Sequence, residues 1–242
     1  MGKYIYCIVR SSVDRSFGAI GIGKEKPEVT TISYADLSML VSEHPQVHIP
    51  PTAEAITTHE RVIEAVMQEY NSLLPMRFCT IAKNEEEVRD LLERRYDEFN
   101  DLLYSYLNKV EYAVKAELSI PDMKKWAIKS KHKASLVVKR ASSVEPDDIV
   151  TVEAVPELDA LRQEHIITLR RIFHTVKIDK ECQLPLILNA SILLERGREN
   201  ELHFLLEEFD EKYNQNIMYS CTGPFPPYNF MDLVIRQAEW EL

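Results

Sequence analysis

Glu111-Tyr-Ala-Val-Lys-Ala-Glu-Leu118 alternates well enough to read as a strand, and the segments after it set the architecture. A basic stretch, Met123–Arg140, passes through a polar loop at Ser142–Asp148 to Pro156, which is well placed in the first turn of a helix. Leu158, Leu161, His165, Ile166, Leu169 and Ile172 make that helix's apolar stripe. Phe173–Asp179 and Leu186–Leu194 read as two strands, Leu202, Leu205, Leu206, Phe209 and Tyr213 as another helix, and Ile217–Cys221 as a last strand. Strand, helix, two strands, helix, strand is close to the split βαβ plan of a ferredoxin-like sandwich.

Upstream, Tyr4–Val9, Val29–Tyr34, Ser38–Ser42 and Leu74–Phe78 read as strands. Pro45, Pro50 and Pro51 break the chain, and Thr57-x-x-Glu60 has the spacing of a capping box ahead of the stripe Val62, Ile63, Val66, Met67 and Tyr70. Asn84 is a good N-cap, and Glu85, Glu86 and Glu87 suit the positive end of a helix. Val88, Leu91, Leu92, Phe99, Leu102, Leu103 and Tyr106 continue it as one long amphipathic helix. The expected architecture is α+β, in two small lobes: residues 1–108, and a ferredoxin-like lobe over 109–242 that ends in a Pro-aromatic segment and a C-terminal tail.

The 242 residues suffice for one large domain or two small ones, with a core that needs no disulfide staple. A net charge of −10 argues against a general nucleic-acid binder or a coat on anionic lipid. Residues 1–108 carry 11 basic and 17 acidic side chains, and residues 109–242 carry 18 and 22, so charge assigns the lobes no separate partners. Cys7, Cys79, Cys182 and Cys221 share no CxxC spacing, and no apolar run approaches the length of a membrane span. With no signal-peptide pattern at the start, the expectation is a reduced, cytoplasmic protein in which the sequon at Asn189 has little weight.

Each motif that could carry chemistry has a plainer structural reading. Gly18–Lys24 has the spacing GxxxxGK, but Glu25 follows where Ser or Thr should hold Mg²⁺, so a glycine-rich turn is expected. His44 and His48 are four apart, but Pro45 and Pro50 deny them a helix face. His59-Glu60 lacks the second histidine of HExxH, since Ile63 stands there. His165 lies on an apolar stripe and reads as a satisfied core histidine. Cys7 and Cys79 lie in strand-like apolar contexts as small buried residues, while Cys221 borders a loop. No serine sits in a GxSxG elbow. No catalytic residue, cofactor or metal site is therefore assigned. Seven Lys or Arg in 123–140, interleaved with Trp126 and His132, are the strongest positive feature. The most unusual segment is Gly223–Phe230, where three prolines stiffen a chain bearing Phe225, Tyr228 and Phe230. These rings can pack on the core or form a partner-binding ridge.

That last segment, within TGPFPPYNF at Thr222–Phe230, resembles the SGPWPPYxF signature of the gas vesicle accessory proteins of the F/L family. YIYCIV at Tyr4–Val9 resembles the family's first strand, and LLPMRFCT at Leu73–Thr80 its LPLRFGT. VEYAVKAEL at Val110–Leu118 resembles VEYGVK, and LILNASILLER at Leu186–Arg196 resembles LLNAAFLV. Cys7, Cys79 and Ala113 replace glycines often found in the family, and Phe225 replaces a Trp. The resemblance implies a minor vesicle component that binds the small, very apolar shell protein and limits its aggregation during nucleation. It implies other gas vesicle accessory proteins as partners, a cytoplasmic location at the vesicle, and neither enzymatic activity nor cofactor. The alternative from the residues alone is a ferredoxin-like module that senses a small molecule or binds RNA.

Overall fold

The computed structural model describes residues 1–45, 48–118, 156–179, 182, 185–213, 216–233 and 235. The basic segment 123–140 and the loop expected at 142–148 lie outside the described residues. The fold is mixed α/β with two antiparallel sheets, and the chain divides into two compact units, Met1–Val110 with Phe225–Leu242, and Glu111–Pro224. The residues from Phe225 onward, which the sequence pattern attached to the second lobe, group with the first unit.

In the first unit β1 (Gly2–Arg10), β2 (Ser16–Gly18), β3 (Val29–Tyr34) and β4 (Leu37–His44) precede α1 (Ala53–Met67). Then come β5 (Leu73–Pro75), β6 (Ile81–Ala82), α2 (Glu85–Arg94) and α3 (Tyr96–Ser105). The sheet runs β2-β3-β4-β1-β5, with β6 also paired to β1. The central strand β1 is buried from Tyr4 to Val9, a run without charged residues, because both its faces are covered. A register shift between Ile5 and Cys7 changes its parity. Tyr4, Tyr6, Cys7 and Val9 join the core under α1, with Val62, Ile63, Val66 and Met67. Ile5 and Ile8 join the opposite core, with Val88, Leu91, Leu92, Phe99 and Leu103. An extra residue in one strand reverses which side chains share a face, so this bulge determines what β1 contributes to each core.

Local chemistry explains the helix ends. Asn84 Oδ1 accepts from the Glu87 amide at 2.9 Å and Glu87 Oε2 accepts from the Lys83 amide at 2.7 Å, as expected of a capped start. The α1 cap is Thr52, whose hydroxyl oxygen accepts from the Ala55 amide at 3.2 Å, so Thr57 lies inside the helix and the capping-box reading is corrected. The long helix expected from Val88 to Tyr106 is two helices that part at Arg95, where φ is −113° and ψ is 24°. Tyr34 donates to Glu93 at 2.9 Å just before the break, and Tyr96 donates to Asp36 just after it. These contacts come from β3 and the turn after it, so the stripe's periodicity carries no trace of them. Cys79 is not on a strand either. It sits in a turn with φ +68°.

In the second unit β7 (Lys109–Leu118), α4 (Pro156–Ile172), β8 (Thr175–Ile178), β9 (Leu186–Glu195), α5 (Glu199–Lys212) and β10 (Ile217–Phe225) form a sheet of order β10-β7-β9-β8. Leu161, Ile166 and Leu169 from α4, Leu202, Leu205 and Phe209 from α5, and Val114, Ala116, Leu188, Ala190 and Ile192 from the strands are buried. β10 runs four residues past the expected Cys221, taking Thr222, Gly223, Pro224 and Phe225 into the strand.

Candidate functional site

The expected partner-binding residues lie at the end of β10 and in the turn after it. Phe225 is half-buried, Tyr228 is 40% exposed and Phe230 is half-buried. Pro226 and Pro227 are buried, and the amides of Tyr228, Phe230 and Met231 donate to the carbonyls of Pro226 (2.7 Å), Pro227 (3.1 Å) and Pro227 (3.1 Å). The segment is thus a hydrogen-bonded turn. It is fastened at its end, where the Tyr106 hydroxyl donates to the Phe230 carbonyl at 2.6 Å and Leu233 enters the core of α2 and α3. Of the three rings, Tyr228 offers the most surface. Gly223 is required where it stands: its φ is +150°, and a Cβ there would lie 2.7 Å from Tyr112 Cδ1 and 2.9 Å from the Glu111 carbonyl oxygen.

A second arrangement surrounds His59, which the sequence marks only as a failed HExxH. On α1 its ring is buried, 4.8 Å separates the centroids of the neighbouring Tyr4 and Tyr6 rings, and Phe78 closes over it at 5.9 Å. Nε2 lies 3.1 Å from the Met76 carbonyl, which can only accept, so Nε2 carries the proton. Nδ1 then accepts from the Tyr4 hydroxyl at 2.9 Å, and that hydroxyl accepts from the Cys79 amide at 3.0 Å. Tyr6 accepts from the Ile22 amide at 2.7 Å and shares a hydrogen bond with Ser42 at 2.9 Å. Burial pulls the His59 pKa down to about 4, so the ring is neutral at pH 7. Burial also pushes the Tyr4 and Tyr6 hydroxyls above the usual phenol range. The network spans β1, α1 and the turn after β5, and it fixes the RFCT portion of Leu73–Thr80.

His165 fulfils the reading of a core histidine. It is fully buried, with Nδ1 2.8 Å from the Leu161 carbonyl and Nε2 2.6 Å from the Tyr219 hydroxyl, and Phe209 (4.5 Å) and Tyr213 (5.1 Å) lie against its ring. It ties α4, α5 and β10 together, and burial lowers its pKa. Beside it an open groove of about 720 Å³ runs between α5 and β10, lined by Leu206, Ile217 and Met218 and by the carboxylates Glu207, Asp210 and Glu211.

Among the described residues no group of His, Cys, Asp and Glu is placed to hold a metal ion. The Gly18–Lys24 segment is a turn: the Gly21 amide donates to the Pro27 carbonyl at 2.9 Å, and a Cβ on Gly21 would lie 2.5 Å from that oxygen. Burial raises the Cys7 and Cys221 thiols, which disfavours thiolate at either position. Among the described residues no helix is long and apolar enough to cross a membrane.

This architecture is that of known gas vesicle protein structures. The crystal structure of GvpF from Anabaena sp. PCC7120 superposes with a TM-score of 0.74 over 98% of each chain, at 20% identity. That of GvpF from Microcystis aeruginosa gives 0.70 over 96% of this chain and 99% of that one, also at 20% identity. In sequence the chain is 24% identical to gas vesicle protein F of Streptomyces sp. (strain CB03234), over 96% of this chain and all of that protein. It is also 24% identical to gas vesicle protein L1 of Halobacterium salinarum, over 95% and 90% of the two chains. Residues 2–232 match the family described as gas vesicle synthesis protein GvpL/GvpF, and the chain belongs to that family of gas vesicle accessory proteins.

Proposed function

We propose that the protein binds the small apolar gas vesicle shell protein in the cytoplasm and keeps it from aggregating while vesicles nucleate, acting with other gas vesicle accessory proteins at the vesicle. The observation that carries this reading is the family match over residues 2–232. The physics of the task agrees with it. A shell subunit exposes apolar, β-prone surface before it assembles, and such surface pairs edge to edge and aggregates. A partner with a net charge of −10 that covers this surface keeps the pair dispersed. The role needs binding and no catalytic step.

Two finer readings belong to the same proposal. The second unit is ferredoxin-like, supported by the order β10-β7-β9-β8 and by helices before β8 and β10. Phe225, Tyr228 and Phe230 contribute to the partner surface, supported by the hydrogen-bonded turn that displays Tyr228. The test is co-expression with the shell protein and sizing of the soluble fraction. Co-elution of a shell protein that is insoluble alone is the expected result, and no gain in its solubility refutes the reading. If Phe225→Ala with Tyr228→Ala leaves both fold and co-elution unchanged, the Pro-aromatic surface is not the contact.

A further inference from the structure

Arg77 sits in a turn whose two flanks are fastened to buried groups. Before it, the Met76 amide donates to the Tyr6 carbonyl at 2.8 Å and the Met76 carbonyl accepts from His59 at 3.1 Å. After it, the Cys79 amide donates to the Tyr4 hydroxyl at 3.0 Å. The Arg77 carbonyl itself accepts from the Thr80 hydroxyl at 2.7 Å and from its amide at 3.3 Å. The turn is thus held on both sides of Arg77, while the Arg77 side chain is exposed and no carboxylate among the described residues pairs with it.

Tyr4 and Tyr6 are fully buried and His59 is 4% exposed. Replacing both partners of a buried neutral hydrogen bond by apolar groups of the same shape can be nearly neutral, so stability alone does not call for them. What they add is a backbone held in one geometry. Phe78, next in the chain, is half-buried, its ring against Tyr4 and His59 at 6.3 and 5.9 Å. A guanidinium on a rigid turn beside an aromatic edge is the chemistry of a binding hot spot, because little backbone entropy is lost when it is engaged.

We propose that Arg77, with Phe78 beside it, is an anchor through which the protein grips a carboxylate side chain of a gas vesicle protein partner. This rests on the function proposed above, with the shell protein as the first partner to test. A guanidinium pairs with carboxylate in a two-pronged geometry that a lysine does not reproduce. A polyphosphate surface is the poorer match, since it needs many cations and meets here a chain of net charge −10.

The test uses the full chain as wild type, Arg77→Glu, Arg77→Lys, and the control Arg61→Glu on the exposed face of α1. Each is first shown by circular dichroism and melting to fold as wild type, which the exposure of both side chains favours. Each is then co-expressed with the shell protein and scored for co-elution, and separately scored for vesicle yield in cells carrying the complete set of gas vesicle genes. Arg77→Glu is expected to cut vesicle yield and co-elution at least about ten-fold, Arg77→Lys to cut them less, and Arg61→Glu to change neither. Lysine at one acidic position of the partner is expected to restore Arg77→Glu. Wild-type behaviour of Arg77→Glu in both assays overturns the inference, as does a loss that no such charge exchange repairs. If wild type fails to co-elute with the shell protein while Arg77→Glu still abolishes vesicles and an exchange on another gas vesicle protein restores them, the shell-protein reading falls and the Arg77 anchor stands.

Discussion

Acidification should loosen the first unit through His59. In the unfolded chain the imidazole titrates near its ordinary value of about 6.5, and in the folded protein burial lowers this to about 4. The folded state therefore favours the neutral ring. The stabilisation is complete above about pH 6.5, is lost as the pH falls toward about 4, and changes no further below that, where both states are protonated. At about 1.36 kcal/mol per pH unit the full gap is worth about 3 kcal/mol, and about 2 kcal/mol of it is gone by pH 5. Other groups titrate in the same direction. Hydrogen bonds from Tyr96 and Arg10 hold Asp36 below its ordinary range, the Arg95 guanidinium does the same for Glu98, and burial lowers His165. The measurement is therefore a difference, with urea unfolding of wild type and His59→Gln compared at pH 7, 6 and 5. His59→Gln is less stable at pH 7, and the gap between the two should close by about 2 kcal/mol at pH 5. The imidazole proton resonance of His59 should titrate near 4. A gap that stays constant, or a ring that titrates near 6.5, refutes the buried-relay account.

Two further outcomes test the packing. Gly223→Ala forces a Cβ against Tyr112 and the Glu111 carbonyl at a φ that side chains rarely adopt. It should cost about 1–3 kcal/mol, read as a lower unfolding midpoint, and an unchanged midpoint would show that the strand end yields freely. Leu233→Ala removes a side chain, 8% exposed, from the core formed with Leu91, Leu92, Phe99 and Leu103. It should cost about 2–4 kcal/mol in urea unfolding, and a cost below about 0.5 kcal/mol would mean that the C-terminal segment does not anchor there.

Most strands and helices are legible because their signals are local. Val29–Tyr34 and Leu186–Glu195 carry β-branched or alternating residues, and Glu199–Lys212 carries a clear stripe. Asn84 announces α2, and His165 announces itself as a core residue by its place on a stripe. The misreadings share one cause. Thr57 has a partner at the right spacing, yet the helix continues upstream to Thr52 after the prolines, and spacing alone does not choose between two competent caps. The break at Arg95 is flanked by hydrogen bonds to Tyr34 and Asp36, about 60 residues away. β10 takes in Gly223 and Pro224, residues that read as strand breakers when no neighbouring strand is known.

By itself, then, the sequence determined the element types, the α+β class and, through five ordered motifs, the kinship with gas vesicle F/L proteins. Periodicity and capping act over a few turns of chain, and motifs need only order. The tertiary structure alone decided that a bulge in β1 places Cys7 and Val9 with Tyr4 and Tyr6 in one core and Ile8 with Ile5 in the other. It alone brought His59 to Tyr4, 55 residues away, and to Met76, 17 residues away, and so fixed the turn that displays Arg77. Such contacts form only once distant segments have closed on one another, and no local pattern of residues encodes which hydroxyl will then meet which ring.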